Sequence, residues 1–261
     1  MRWSKDRSAA QNYSAGMTIF PNSLVADIAT AHPASIKVFQ RHRIDFCCGG
    51  KIALADVCEQ RQLGVTDMVT ELEAALETRT NDTDWTRAPL TDLVSHIQRT
   101  FHRPLEAELP RLRAMVDKVV SRHGDRLAAT LLPLQTTFAR LQAGLLEHMA
   151  KEDAVLFPAI VALESGGPVS PAALGSLDQP IAVLEAEHAA AGAALARLSD
   201  LTDGYVPPAD ACPTFRGLYF GLAELERDMH THVHLENHVL FPRAAAMFRN
   251  SLTVGHGQSA D

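Results

Sequence analysis

The sequence predicts an all-α protein: a small N-terminal helical domain followed by an up-down-up-down four-helix bundle. Helical periodicity runs through nearly the whole chain, and the strict alternation of a half-buried strand is almost absent. A polar, unpatterned stretch from Thr78 to Pro89 separates short helical segments from long ones. The longer part also contains an internal repeat, as a bundle built from two hairpins would. These features divide the chain into a small domain over 18–78, a linker over 79–89 and a bundle over 90–249.

Four short helices are expected in the small domain. Ser23 is placed to cap a helix over Leu24 to Thr30, and Pro33 suits the first position of a second helix reaching about Arg41. The paired glycines of Arg43-Ile-Asp-Phe-Cys-Cys-Gly-Gly50 signal a turn. A third helix is expected over Lys51 to Gln62, and a fourth is capped by Thr66 with Val69, Leu72 and Leu76 on one face. The bundle helices are expected at 90–121, 126–163, 178–199 and 212–249. They are punctuated by His123-Gly124, by Ser165 to Pro171 and by Asp203 to Pro208. Pro104, Pro110, Pro133 and Pro158 fall inside these segments, where kinks are expected.

Composition narrows the function classes. Apolar residues make up 46% of the 261, enough to fill a core. The net charge of −7 argues against a nucleic-acid partner, which needs a concentrated basic face. Apolar runs are broken by charge before reaching the ~20 residues of a membrane span, and no secretory signal pattern follows Met1. The four cysteines, Cys47, Cys48, Cys58 and Cys212, fit no four-cysteine zinc spacing, and a cytoplasmic location is the natural expectation.

The repeat carries the chemistry. His148-Met-Ala-Lys-Glu152-Asp-Ala-Val-Leu-Phe-Pro158 returns as His232-Val-His-Leu-Glu236-Asn-His-Val-Leu-Phe-Pro242. Residues i and i+4 share one helix face, so each His-x-x-x-Glu pair can reach one point. His102 lies 46 residues before His148, and His188 lies 44 before His232, so each half supplies one further imidazole. Such i,i+4 pairs are common on solvated faces, but the register of the repeat and its apolar Leu-Phe flanks favour an interior site. Buried imidazoles and carboxylates are costly unless paired or metal-bound. Imidazole with carboxylate suits iron, manganese or zinc. Six ligands exceed one tetrahedral zinc but suit two metals spanned by two glutamates. Two non-haem iron ions with carboxylate and oxo or hydroxo bridges are expected on His102, His148, Glu152, His188, His232 and Glu236. His234 and His238 point away from the repeat face and lack counterparts in the first copy, so they are left out. His32, His42, His96 and His123 are expected on the surface.

At this point the chain resembles the iron–sulfur cluster repair di-iron proteins, the RIC or ScdA family. The resemblance rests on Asp45-Phe-Cys-Cys-Gly-Gly50 at the end of a small helical domain and on the two His-x-x-x-Glu motifs of a hemerythrin-like bundle. It runs from about Thr18 to Arg243 and implies the same six ligands. It also implies a role near the metals for the acidic Glu187. Oxygen-carrying hemerythrins keep a further histidine four residues after the third-helix ligand. That position is Gly192 here, so open coordination sites and reactive chemistry or metal exchange are expected.

The resemblance implies repair of clusters damaged by nitrosative or oxidative stress, with damaged iron–sulfur proteins as partners and iron donation as one route. An enzyme reducing nitric oxide or peroxide, or a scavenger of NO or O₂, fits the same residues. A homodimer is compatible with the sequence. Cys47 and Cys48 have two readings: small apolar residues in a buried turn, or a thiol pair handling electrons or iron. Cys58 and Cys212 are read as structural.

Overall fold

A computed structural model describes residues 19–77, 83–166 and 177–255. Thr18, residues 78–82 of the linker and most of the Ser165–Pro171 connection lie outside them. The described residues form helices and turns, with one isolated β-bridge between Leu24 and Ala53. None of the helices is long and apolar enough to cross a membrane.

The small N-terminal part holds α1 (Val25–Ala31), a 3₁₀ turn at Pro33–Ser35, α2 (Ile36–Arg41), α3 (Leu54–Gln60) and α4 (Val65–Glu77). Ser23 does not cap α1. Its first free N–H groups, on Val25 and Ala26, are taken by the carbonyls of Ile52 and Gly50 at 3.0 and 2.9 Å. This approach requires glycine at position 50, where a Cβ would lie 2.6 Å from the Phe46 carbonyl. The third helix is shorter than expected, and the fourth starts at Val65, so Thr66 lies within it. Phe39, Phe46, Leu54, Cys58 and Leu72 fill this part of the core, and Cys58 is buried among them.

The bundle holds α5 (Leu90–Ile97), α6 (Arg103–Lys151), α7 (Phe157–Glu164), α8 (Asp178–Leu201), α9 (Pro213–Leu235) and α10 (Phe241–Gly255). The expected break at His123-Gly124 falls instead at Leu127, where φ −120° and ψ 30° interrupt α6. The chain reverses there. Gln135 donates to Asp117 at 2.7 Å, although 18 residues of straight helix would separate them by about 27 Å. Pro110 and Pro133 lie inside α6 without interrupting it.

Pro104 and Pro158 act differently from the simple kinks expected. Each follows a π turn, at Gln98–His102 and Glu152–Leu156, and Pro242 follows a third at Glu236–Leu240. The N–H groups of Arg103, Phe157 and Phe241 reach carbonyls five residues back. Proline cannot donate to the carbonyl four residues back and its ring crowds that group, so the wider turn relieves both problems.

The second half of the linker is pinned to the bundle. Arg243 donates to the carbonyls of Trp85 and Ala88, each at 2.7 Å. The Glu164 carboxylate accepts from the N–H groups of Leu90 and Thr91, serving as a distant cap for α5. Trp85 packs on His96 with ring centroids 4.5 Å apart. One apolar core runs through both parts of the chain.

Candidate metal centre

The three π turns carry His102, Glu152 and Glu236, while His148 and His232 end α6 and α9 and His188 projects from the middle of α8. All six side chains are buried. They form two interlocking sets. His102, Glu152, His232 and Glu236 offer ligand atoms within 4.8 Å of one another, and so do His148, Glu152, His188 and Glu236. Each set joins a histidine from one copy of the repeat to one from the other, and both glutamates belong to both sets. The facing imidazole nitrogens converge: His102 Nε2 is 3.1 Å from His232 Nε2, and His148 Nε2 is 2.9 Å from His188 Nε2.

Outward-facing Nδ1 atoms fix three of the rings. His102 Nδ1 meets Asp153 Oδ1 at 3.0 Å, His148 Nδ1 meets Glu187 Oε2 at 2.8 Å, and His188 Nδ1 meets Asn237 Oδ1 at 2.8 Å. An acceptor at Nδ1 holds the proton there and turns the Nε2 lone pair inward, as metal-binding imidazoles require. Phe157 stacks on His102, and its repeat counterpart Phe241 stacks on His188. Phe101 lies parallel to His232 at 5.0 Å. Asp153 and Asn237 each follow a repeat glutamate, so the repeat itself held the signal for them, although sequence reasoning stopped at the ligands.

The buried polar atoms test whether cations fit. Both Glu152 oxygens, Glu236 Oε2 and His232 Nδ1 lack a hydrogen-bond partner. Carboxylate oxygens buried without partners carry a large desolvation cost, which a cation offsets. The donor set, imidazole and carboxylate, matches that role. Protons respond to the same field. Burial works against a charged His148, yet Glu152, Glu236 and Glu187 raise its pKa to about 9. Burial also opposes charge on His102 and His188, but the surrounding carboxylates raise both. Glu236 is held well below the usual carboxylate range: burial would raise it, but the facing imidazoles of His232, His102 and His188 prevail. Burial and the Glu236 charge push Glu152 upward. Metal binding here would displace protons from imidazoles.

The Cys-Cys loop sits against this centre. Cys48 Sγ is 3.6 Å from the His188 carbonyl and 3.6 Å from Cys47 Sγ. A Cβ at position 192 would come within 3.3 Å of Cys48 Sγ, so Gly192 makes room for the thiol on α8. Asp45 organises the loop by accepting from the N–H groups of Cys47, Cys48 and Gly49. Its oxygens are thereby engaged, although Asp45, Cys47 and Cys48 also lie close enough to form a third ligand group. The contact between the two thiols, with burial, raises Cys47 strongly, and the same contact lowers Cys48.

The histidines set aside from sequence have other places. His234 is buried, with Nδ1 3.2 Å from the Phe46 carbonyl and Nε2 3.3 Å from Thr30 Oγ1; His238 Nε2 lies 2.8 Å from the Cys47 carbonyl. With His230, whose ring meets Phe46 edge-on, they dock the small N-terminal part onto α9 and its π turn. The four histidines expected on the surface are half-buried: His42 pairs with Glu71, His96 with Trp85 and His123 with Cys212, while the His32 N–H closes the C-terminal end of α1 on the Ile28 carbonyl. Two clefts open along α8, and one of them reaches the centre on the His148–His188 side. One, of about 500 Å³, is lined by His148, Lys151, Glu187 and His188. The other, of about 730 Å³, is lined by Cys47, Cys48, Gly192, Arg43 and Lys37.

A four-helix bundle with this doubled His–Glu interior is a hemerythrin-type metal-binding protein, and residues 93–244 match the Hemerythrin HHE cation binding domain. Residues 21–76 match ScdA_N, a domain of unknown function (DUF542). Over 226 residues the chain is 36% identical to the iron-sulfur cluster repair protein YtfE of Yersinia pseudotuberculosis, covering 86% of this chain and 97% of that one. It is 34% identical over 227 residues to the "Probable iron-sulfur cluster repair protein" of Haemophilus influenzae, again covering 86% and 97%. The YtfE repair protein of Pectobacterium carotovorum is 36% identical over 220 residues, covering 84% and 95%. The chain belongs to the iron-sulfur cluster repair protein family.

Proposed function

We propose that His102, His148, Glu152, His188, His232 and Glu236 hold two iron ions, and that the protein uses them in the cytoplasm to repair iron–sulfur clusters damaged by nitrosative or oxidative stress. The single observation that carries this reading is the pair of interlocking ligand sets sharing two buried glutamates, three of whose four oxygens lack a hydrogen-bond partner. Iron bound by imidazole and carboxylate supplies one-electron chemistry and exchangeable positions for small ligands such as NO, O₂ or peroxide. The chain's own part is to hold the imidazoles with Nε2 inward through Asp153, Glu187 and Asn237. Cys47 and Cys48 are proposed to serve repair at the cleft, with damaged iron–sulfur proteins as clients and donated iron as the cargo. A second reading, reduction or scavenging of NO or peroxide, draws on the cleft lined by His148 and His188, which offers small molecules a way in. A homodimer remains compatible with either.

The matched segments support a division into units over 18–78 and 90–249 joined by 79–89. The test of the central reading is metal content. Protein expressed with ample iron should carry about two ions per chain, and Glu152→Ala with Glu236→Ala should lose most of them. Unchanged iron in the double variant refutes the assignment. Transfer of that iron to an apo iron–sulfur enzyme, set against NO turnover by the same preparation, separates the two functions.

A further inference from the structure

We infer that Asn237 couples the Cys47–Cys48 loop to the metal position of His148 and His188, so that loading the centre steadies the loop and the loop's position in turn orients His188. The inference rests on the metal reading above.

Asn237 is the repeat counterpart of Asp153, and the two side chains do different work. Asp153 only accepts, from His102 Nδ1 at 3.0 Å and Gln98 Nε2 at 2.9 Å. Asn237 accepts from His188 Nδ1 at 2.8 Å through Oδ1 and donates from Nδ2 to the Cys47 carbonyl at 3.3 Å. An amide can accept on one side and donate on the other, whereas an ionised carboxylate can only accept. Aspartate at 237 would still hold His188 but would set its oxygen against the Cys47 carbonyl. The loop does not depend on Asn237 for docking. His238 holds the same carbonyl at 2.8 Å, and His234 holds that of Phe46. What Asn237 adds is a link between loop and ligand. A metal that fixes the His188 ring fixes the Asn237 amide, and through it the Cys47 peptide. By reciprocity, a loop displaced at Cys48, which packs over Gly192 and the His188 carbonyl, loosens the same ring.

The experiment is amide hydrogen exchange of the full chain over Ile44–Gly50, metal-free and iron-loaded, with iron measured on the same samples. In the wild type, loading should slow exchange in this segment roughly five-fold, the worth of one net hydrogen bond. At iron occupancy matched to the wild type, Asn237→Asp should lose the slowing, while Asp153→Asn should keep it. Exchange over Val65–Glu77 serves as the internal reference and should not change between variants. If Asn237→Asp fails to fold, Asn237→Ala replaces it, compared at iron occupancy matched to the wild type, with the same loss of slowing expected. Slowing that persists undiminished in the Asn237 variant overturns the coupling, as does a wild type that holds iron without slowing. A wild type that binds no iron overturns the metal reading and the coupling together, and the iron analysis tells this failure from the others.

Discussion

The two copies of the repeat build one centre from matching parts but give it two unlike sides. In both copies a phenylalanine stacks on the first histidine, Phe157 on His102 and Phe241 on His188, and a side chain following the glutamate holds that histidine's Nδ1. The differences lie one residue before those histidines. Phe101 stacks on His232 and leaves its Nδ1 without a partner; Glu187 instead binds His148 and reaches Lys151 at 2.6 Å. Around His102 and His232 the walls are aromatic, whereas one cleft is lined by His148 and His188 and the thiol loop packs on the His188 carbonyl. Duplication supplies the candidate ligands, and a few divergent neighbours make the two sides unlike.

The largest test of this comparison strikes what the halves share. Phe157→Ala and Phe241→Ala each delete a fully buried ring and should each cost about 3–5 kcal/mol, read by urea unfolding of metal-free protein. Costs that differ by more than about 2 kcal/mol would break the equivalence of the halves at these positions. A smaller effect should fall on one side only. Glu187→Ala removes the acceptor that holds His148 Nδ1 and should weaken metal binding there about 10–100-fold, so that a chelator strips the iron in two phases. Parallel loss from both positions would contradict the asymmetry. The smallest effect is expected from Asp153→Asn, whose amide oxygen still accepts from His102. Its change in stability should stay within about 1 kcal/mol, and iron release should stay close to that of the wild type. A loss matching that of Glu187→Ala would show that the Asp153 charge, and not only its acceptor, supports the ring.

The sequence made the convergence of the six candidate ligands legible because i,i+4 spacing on a helix converts directly into a shared face, and the repeat doubled that signal. It made the helices legible through their apolar periodicity, but not their interruptions. Nothing marks Leu127 as a corner, since the glycine that suggested one lies three residues earlier, and the reversal shows only in contacts such as Gln135 with Asp117. His234 and His238 were set aside by the same helical arithmetic that chose the ligands. That arithmetic placed them away from the repeat face but could not say what they face, because the Phe46 and Cys47 carbonyls come from a segment nearly 190 residues distant. The role of Gly192 was equally hidden: a missing histidine reads as an open position, whereas the structure shows a thiol packed against it.

The π turns make the centre sensitive to residue count as well as residue type. Each holds one residue more than the α-helical turn it replaces, which advances everything after it by about 100° of helical phase. Phe157 and Phe241 lie just beyond two of these turns and reach His102 and His188 only with that added phase. Losing one residue from Asp153–Leu156 would let the helix close into regular α geometry and leave all six candidate ligands in the chain. It would also swing Phe157 away from the imidazole it covers. At these turns a change of length is a change of direction.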